Sequence, residues 1–216
     1  MKKEITKLLN IKIEKIKSRK FEKIIPEFYE LNQVIENNPW HNNDSVFNHS
    51  LADLRELKKM IWKAIPKIKT YLNEKVDTYS RKELLFLATL LHDIGKKETF
   101  KQENNLTRCP GHEEKSAEKL RHLLSRFDLS NKEKGLLIEV VRNHGFFHDL
   151  LDKPEEDLEE KLKKFKRNNP EIFLEVVLFA MANILGSQLK DNKPEEFNFR
   201  MNFLKKIIKE ESNPKS

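Results

Sequence analysis

Residues 90–96 read LLHDIGK, which sets a histidine next to an aspartate at the end of an apolar run. An imidazole and a carboxylate side by side at a buried helix end are costly unless something compensates them, and one divalent cation compensates both. Neighbouring helical residues point about 100° apart, so His92 and Asp93 reach one ion only near a helix end or distortion, and Gly95 supplies that freedom. An isolated His-Asp pair reads first as a capping aspartate and a hydrogen-bonded core histidine. This pair is not isolated. Four further histidines stand at expected helix ends or turns: His49 in SVFNHSLADL, His112 in CPGHEEKSAE, and His144 and His148 in VVRNHGFFHD.

The elements that must position these residues are helices. Only five glycines punctuate 216 residues, and Lys, Glu, Leu and Ile recur at three- and four-residue spacing, which excludes a sheet-based architecture. Ser80 with Glu83, and Ser130 with Glu133, form capping boxes that open the helices RKELLFLATLLHDIGK and NKEKGLLIEVVRNH. Ser45 caps a helix carrying Val46, Leu51, Leu54 and Leu57. Pro110 and Gly111 precede a helix from His112 to about Phe127, and Asn169 and Pro170 open a long apolar helix through EIFLEVVLFAMANILGSQL. Pro194 introduces a last amphipathic helix that ends in a polar tail. Ahead of these, residues 1 to about 36 predict one or two amphipathic helices broken near Pro26, with Ile5, Leu8, Leu9, Ile13 and Ile16 on one stripe. Residues 37–44, NNPWHNND, read as a turn-rich link.

The balance of 42 basic and 35 acidic residues gives a net charge of +7, a modest and salt-sensitive attraction for phosphorylated small molecules or polyanions. Lysines alternate with glutamates, so solvated helix faces come first and a nucleic-acid patch second. The single cysteine, Cys109, excludes an intramolecular disulfide and a cysteine-rich zinc cluster, and fits a reducing cytoplasm. No signal core opens the chain, and the apolar run from Ile172 to Ala182 is interrupted by Glu175 and too short for a bilayer, so no membrane role is expected. No GxxxxGK[ST] loop and no paired-aspartate nucleotidyltransferase motif occurs, which disfavours an ATP-driven or nucleotide-adding enzyme.

The order SVFNHSL, LLHDIGK, GHEEKSAE and VVRNH resembles the HD phosphohydrolase superfamily, and especially the HD domains appended to bacterial tRNA nucleotidyltransferases. The resemblance covers about residues 46–189. It implies an all-α HD-domain bundle over 41–216, with residues 1–40 as an additional N-terminal helical arm. It also implies a divalent metal held by His49, His92 and Asp93, with a late aspartate as a fourth ligand. Here the aligned segment FAMANILGSQLK puts Asn183 in that place. An amide oxygen ligates without charge and neutralises less of a divalent ion. Asp191, eight residues on, is out of reach of the same position if the helix continues. Histidine and carboxylate ligands suit Mn, Fe, Co, Ni or Zn, with Mg as a further choice. The positions matching His112 and His144 serve as second-metal ligands in some members and as phosphate binders in others.

The implied reaction is phosphoester hydrolysis of a nucleotide, a cyclic phosphodiester or an RNA-end phosphate by metal-activated water. Asp93 would ligate and accept the water's proton, while Lys96, His112 and His144 would orient the phosphate. Lys96 also reads as a helix C-terminal charge complement, and Arg108 and Arg142 read equally as phosphate forks or surface ion pairs. His122 reads as a surface residue, and His41 first as an exposed loop histidine and second as a cover over the site. His144 and His148, four apart, would jointly grip a metal if the helix persisted, but Gly145 is expected to end it. A non-catalytic module that binds RNA or a small nucleotide, marked by Asn183, is the alternative.

Overall fold

A computed structural model describes residues 2–9, 12–152 and 157–212; the polar tail expected after Ser212 lies outside them. Helices dominate. Three short ones, α1 (Lys2–Leu9), α2 (Ile13–Lys17) and α3 (Pro26–Glu30), precede a hairpin of β1 (Ile35–Asn38) and β2 (His41–Ser45). Then follow α4 (Val46–Lys63), α5 (Pro66–Asn73), α6 (Arg81–Leu91) and α7 (Lys96–Thr99), and a second hairpin of β3 (Lys101–Glu103) and β4 (Leu106–Arg108). The rest is helical: α8 (His112–Leu124), α9 (Asn131–Arg142), α10 (Phe146–Leu151), α11 (Leu158–Asn168), α12 (Phe173–Gly186), α13 (Leu189–Asn192) and α14 (Pro194–Ser212).

The starts follow the caps. Ser45 Oγ accepts from Asn48 N, and both capping boxes are formed, at Ser80/Glu83 and Ser130/Glu133. At the heart of the bundle α4 lies against α12 and α6, α6 against α9, and α9 against α8. The arm belongs to the same apolar core: Ile5, Leu8, Leu9, Ile16 and Phe28 are buried with Leu54, Leu91, Val141 and Phe179. Pro26 opens α3 as its first residue, so the break precedes it. Glu175, which interrupts the apolar run of α12, is buried but compensated, with Arg81 Nη1 at 2.6 Å and the Tyr71 hydroxyl donating at 2.8 Å. Among the described residues no helix is long and apolar enough to cross a membrane.

Four expectations need correction. The stretch 37–44 is no link but most of an antiparallel hairpin, with Ile35 opposite Ser45 and Asn38 opposite His41. Asn38 Oδ1 accepts from the backbone N–H of Trp40 and of His41, so an asparagine side chain closes its turn. The long apolar helix stops at Gly186, and Gln188 N then donates to Trp40 O, which ties the chain to that hairpin. The helix from His112 ends at Leu124, short of Phe127.

The fourth concerns Gly95, which is needed for closeness rather than for dihedral freedom. Its φ of −90° suits any residue, but a Cβ there would lie 2.4 Å from Ser116 N. The turn after α6 is thereby seated on the first turns of α8, and Gly95 N donates to Ser116 Oγ at 2.9 Å. The second hairpin turns on Asn104 and Asn105, both at positive φ, as a two-residue turn requires. The two hairpins meet edge to edge: Asn37 N donates to Thr107 Oγ1 at 2.7 Å and Asn37 Nδ2 to Asn105 O at 2.9 Å.

Candidate metal centre

The helix α6 ends at Leu91, so His92 and Asp93 stand on the turn that follows, both buried. His92 Nδ1 bonds to Thr89 O at 2.8 Å, three residues back. His144, just past the end of α9, does the same to Val141 O at 2.6 Å, and His112, first residue of α8, to Cys109 O at 2.8 Å. Each ring therefore spends its Nδ1–H on a backbone carbonyl and aims the Nε2 lone pair inward, as a histidine that ligates a metal through Nε2 does.

Those lone pairs converge on Asp93. Its Oδ2 lies 3.0 Å from His92 Nε2, and its Oδ1 lies 3.3 Å from His112 Nε2 and 3.6 Å from His144 Nε2. The Nε2 atoms of His112 and His144 face one another at 3.0 Å. With both Nδ1 protons committed elsewhere, two lone pairs at that distance repel unless a proton or a cation lies between them. Neither oxygen of Asp93 makes a well-aligned hydrogen bond among the described residues. The donor set, two or three imidazoles with a buried carboxylate, fits a divalent transition metal. Phe179 of α12 supports the rings from below, edge-on to His92 at 4.8 Å and to His144 at 5.5 Å.

A second knot adjoins the first. His49 and Asp53, one turn apart on α4, have Nε2 and Oδ2 3.2 Å apart, and Asp53 Oδ2 is 3.8 Å from His92 Nε2. Asn183 of α12 donates from Nδ2 to Asp53 Oδ2 at 2.8 Å and to His49 Nε2 at 2.9 Å, while its Oδ1 accepts from His148 Nε2 at 2.8 Å. His148 lies on α10, beyond the end of α9 at Arg142, and turns toward Asn183; Trp40 packs edge-on against its ring.

The electrostatics sort the groups. Burial alone would raise the Asp93 carboxyl, but His92 and Lys96 reverse this and hold it well below the usual carboxylate range. Burial pushes Asp53 well above that range, with the Asn183 hydrogen bond opposing in part. Burial also holds His49 and His144 well below the ordinary imidazole value. It takes His41 and His148 down to about 4.

Lys96 is itself buried. Burial opposes its charge, yet Asp93 and Glu36 raise its pKa, with Nζ 3.0 Å from Asp93 Oδ2 and 2.8 Å from Glu36 Oε2. Both of its carboxylate partners would be left buried without their cation in Lys96→Met, which is expected to cost about 3–5 kcal/mol. Urea unfolding checks this, and Glu36→Gln in the same chain is expected to recover part of the loss; an unchanged midpoint would contradict it.

The hairpins roof the site. A cavity of about 240 Å³ opens over His92, Asp93, His112 and His144, with Trp40, His41, Thr107, Arg108 and Cys109 in its walls. His41, expected exposed, is buried, with Nε2 3.5 Å from Glu36 Oε2 and its ring against that of His49. Cys109 sits under the roof beside Glu36, and burial pushes its thiol up to about 12. Arg108 pairs with Glu103, and Arg142 with Glu114 and Glu139, while His122 is exposed.

The structure thus brings together all seven residues expected at the site, Lys96 and Asn183 included, sets His41 and His148 beside them, and adds Asp53 and Glu36. Asp53 had a signal: it follows His49 at the i,i+4 spacing that shares a helix face. A search of curated proteins finds no match. The model of the HD domain family matches residues 54–185, beginning just after His49 and Asp53 and taking in the His92-Asp93 turn, His112, His144 and Asn183. With well over half of its length so matched, the chain belongs to the HD-domain superfamily of metal-dependent phosphohydrolases.

Proposed function

We propose that this protein hydrolyses a phosphoester whose phosphate is small or terminal: a nucleotide, a cyclic phosphodiester or the phosphate at an RNA end. The observation that carries it is the convergence of three inward-facing Nε2 lone pairs on the buried, ionised Asp93 at the floor of a cavity. His49, His92 and Asp93, with His112 and His144 at hand, would hold a divalent cation, which would supply Lewis acidity to lower the pKa of water and polarise a phosphoryl oxygen. The cavity, at about 240 Å³, is below the roughly 300–1,000 Å³ typical of ligand pockets, so a phosphoryl group and its immediate neighbour enter while a longer chain stays outside.

Within that cavity Asp93 remains an anion, because His92 and Lys96 stabilise its charge. In place of Asp93, which the resemblance implied as the proton acceptor, His112, less buried than His144 and at the cavity wall, holds at Nε2 the proton given up by the attacking water, with Asp93 Oδ1 3.3 Å away to stabilise the imidazolium. Water attacks phosphorus, the bond to the leaving oxygen breaks, and that proton returns to the leaving oxygen. Lys96, tied to Glu36 and Asp93, keeps the Asp93 carboxylate in register. Arg108, in the cavity wall and more exposed than Lys96, is the cation that meets an incoming phosphate in this reading.

Elemental analysis of untagged protein purified without chelator tests the metal, and a panel of nucleoside monophosphates, 2′,3′-cyclic nucleotides, bis-p-nitrophenyl phosphate and 3′-phosphorylated RNA tests the chemistry. About one transition-metal ion per chain, absent from His92→Ala, with turnover that a chelator stops, is the expected result. The replacement of a ligand carboxylate by Asn183 favours a second reading, a module that binds RNA or a nucleotide without turnover. Tight binding of the panel with no hydrolysis at any metal loading would select it.

A further inference from the structure

Given the metal centre proposed above, we infer that the carboxylate expected at position 183 is supplied from the neighbouring helix, by Asp53 as an anionic ligand of the metal. Asp53 is fully buried, and its Oδ1 has no hydrogen-bond partner among the described residues. The oxygen that faces the imidazoles is Oδ2, 3.2 Å from His49 Nε2 and 3.8 Å from His92 Nε2, close enough for one cation to reach all three, and a buried carboxylate with one oxygen unpartnered gains from such a cation. The ligand atoms of His49, Asp53 and His92 all lie within 4.8 Å of one another. Asp53 follows His49 by one helical turn, so both project from the same face of α4 toward His92.

The facing helix is shaped for this carboxylate. A Cβ at Gly186 would stand 2.1 Å from Asp53 Oδ1 and 2.8 Å from Asp53 N, so only glycine admits the Asp53 side chain there. One turn earlier on α12, Asn183 donates to Asp53 Oδ2 and turns its own oxygen away to His148. An amide nitrogen has no lone pair to give a metal, so in this arrangement Asn183 is a positioning residue that steadies Asp53 and His49. An aspartate at 183 would set a second carboxylate where that amide now donates, and the two would repel. Asp53, Asn183 and Gly186 thus form one matched set: charge on α4, donor and space on α12.

The test is a transplant of the carboxylate, read by Mn²⁺ affinity in calorimetry and by the electron paramagnetic resonance signal of the bound ion, not by turnover. Asp53→Asn is expected to weaken Mn²⁺ binding by at least about 10–100-fold, since even the loss of a group that only supports a ligand reaches that size. Adding Asn183→Asp to that variant is expected to restore most of the affinity. Full affinity in Asp53→Asn would overturn the inference. Where Asp53→Asn fails to fold, or affinity is lost without recovery, a crystal structure of the unaltered protein with Mn²⁺ decides: an Asp53 oxygen bonded to the ion supports it, and one pointing elsewhere overturns it. Absence of metal from the unaltered protein is a separate result, which removes the metal centre itself.

Discussion

Asp93→Asn is expected to lower phosphoester turnover by about a thousandfold or more while the protein still folds. The substitution keeps the shape and removes the anion on which three imidazoles and one ammonium converge. Its Oδ2 is 3.0 Å from both His92 Nε2 and Lys96 Nζ, and its Oδ1 faces His112 and His144. Several kcal/mol of charge stabilisation rest on that anion, and each 1.36 kcal/mol is about a factor of ten in rate. Folding survives because Lys96 keeps Glu36 at 2.8 Å and the amide still fills the space. Steady-state kinetics with the substrate found in the phosphoester panel, together with metal content, check both halves. Turnover within tenfold of the unaltered protein would remove Asp93 from its proposed place.

In chelator-treated protein, unfolding free energy is expected to fall by on the order of 4 kcal/mol between pH 6.5 and pH 5. His41 and His148 sit at about 4 in the folded chain, lowered by burial from an ordinary 6.5. The unfolded chain takes up their protons below pH 6.5 while the folded chain refuses them until about pH 4. Stability from these groups is present above 6.5 and lost as pH falls through that window, about 2 kcal/mol for each histidine at pH 5. His49 and His144 act in the same direction. Asp53 acts in the opposite one, because its raised pKa lets the folded chain keep a proton that the unfolded chain has released. The histidines outnumber it, so the net effect is loss in acid. Urea titrations at both pH values check this, and a flat profile would contradict it. Against a total of about 5–15 kcal/mol for an ordinary domain, such a loss is large.

The sequence shows the scaffold of this site better than its roof. Capping boxes at Ser80 and Ser130 and the apolar spacing behind them announce α6 and α9, because local hydrogen bonds and a buried stripe are written in contiguous residues. The hairpin of β1 and β2 is opaque for the opposite reason. Its strands are rich in asparagine, carry no alternation of apolar and polar residues, and are held by Asn38 within the turn and by Thr107 and Asn105 some seventy residues away. The burial of His41 follows from that roof and could not be seen without it. Asn183 stood out as a missing charge, but its partner Asp53 did not, since the compensation crosses from one helix to another and no spacing rule links positions 53 and 183.

Cys109 turns the roof into something that can be timed. The chain has one thiol, buried directly after β4 beside Glu36 and kept protonated up to about 12. A maleimide or iodoacetamide must reach that sulfur at the cavity wall, and meets it as a reactive thiolate only when the surroundings loosen enough for water to solvate it. The alkylation rate is therefore a clock on the breathing of the cavity mouth, read at a single natural atom with no label introduced. Occupancy of the cavity by phosphate would slow that clock in proportion to how firmly it shuts the mouth.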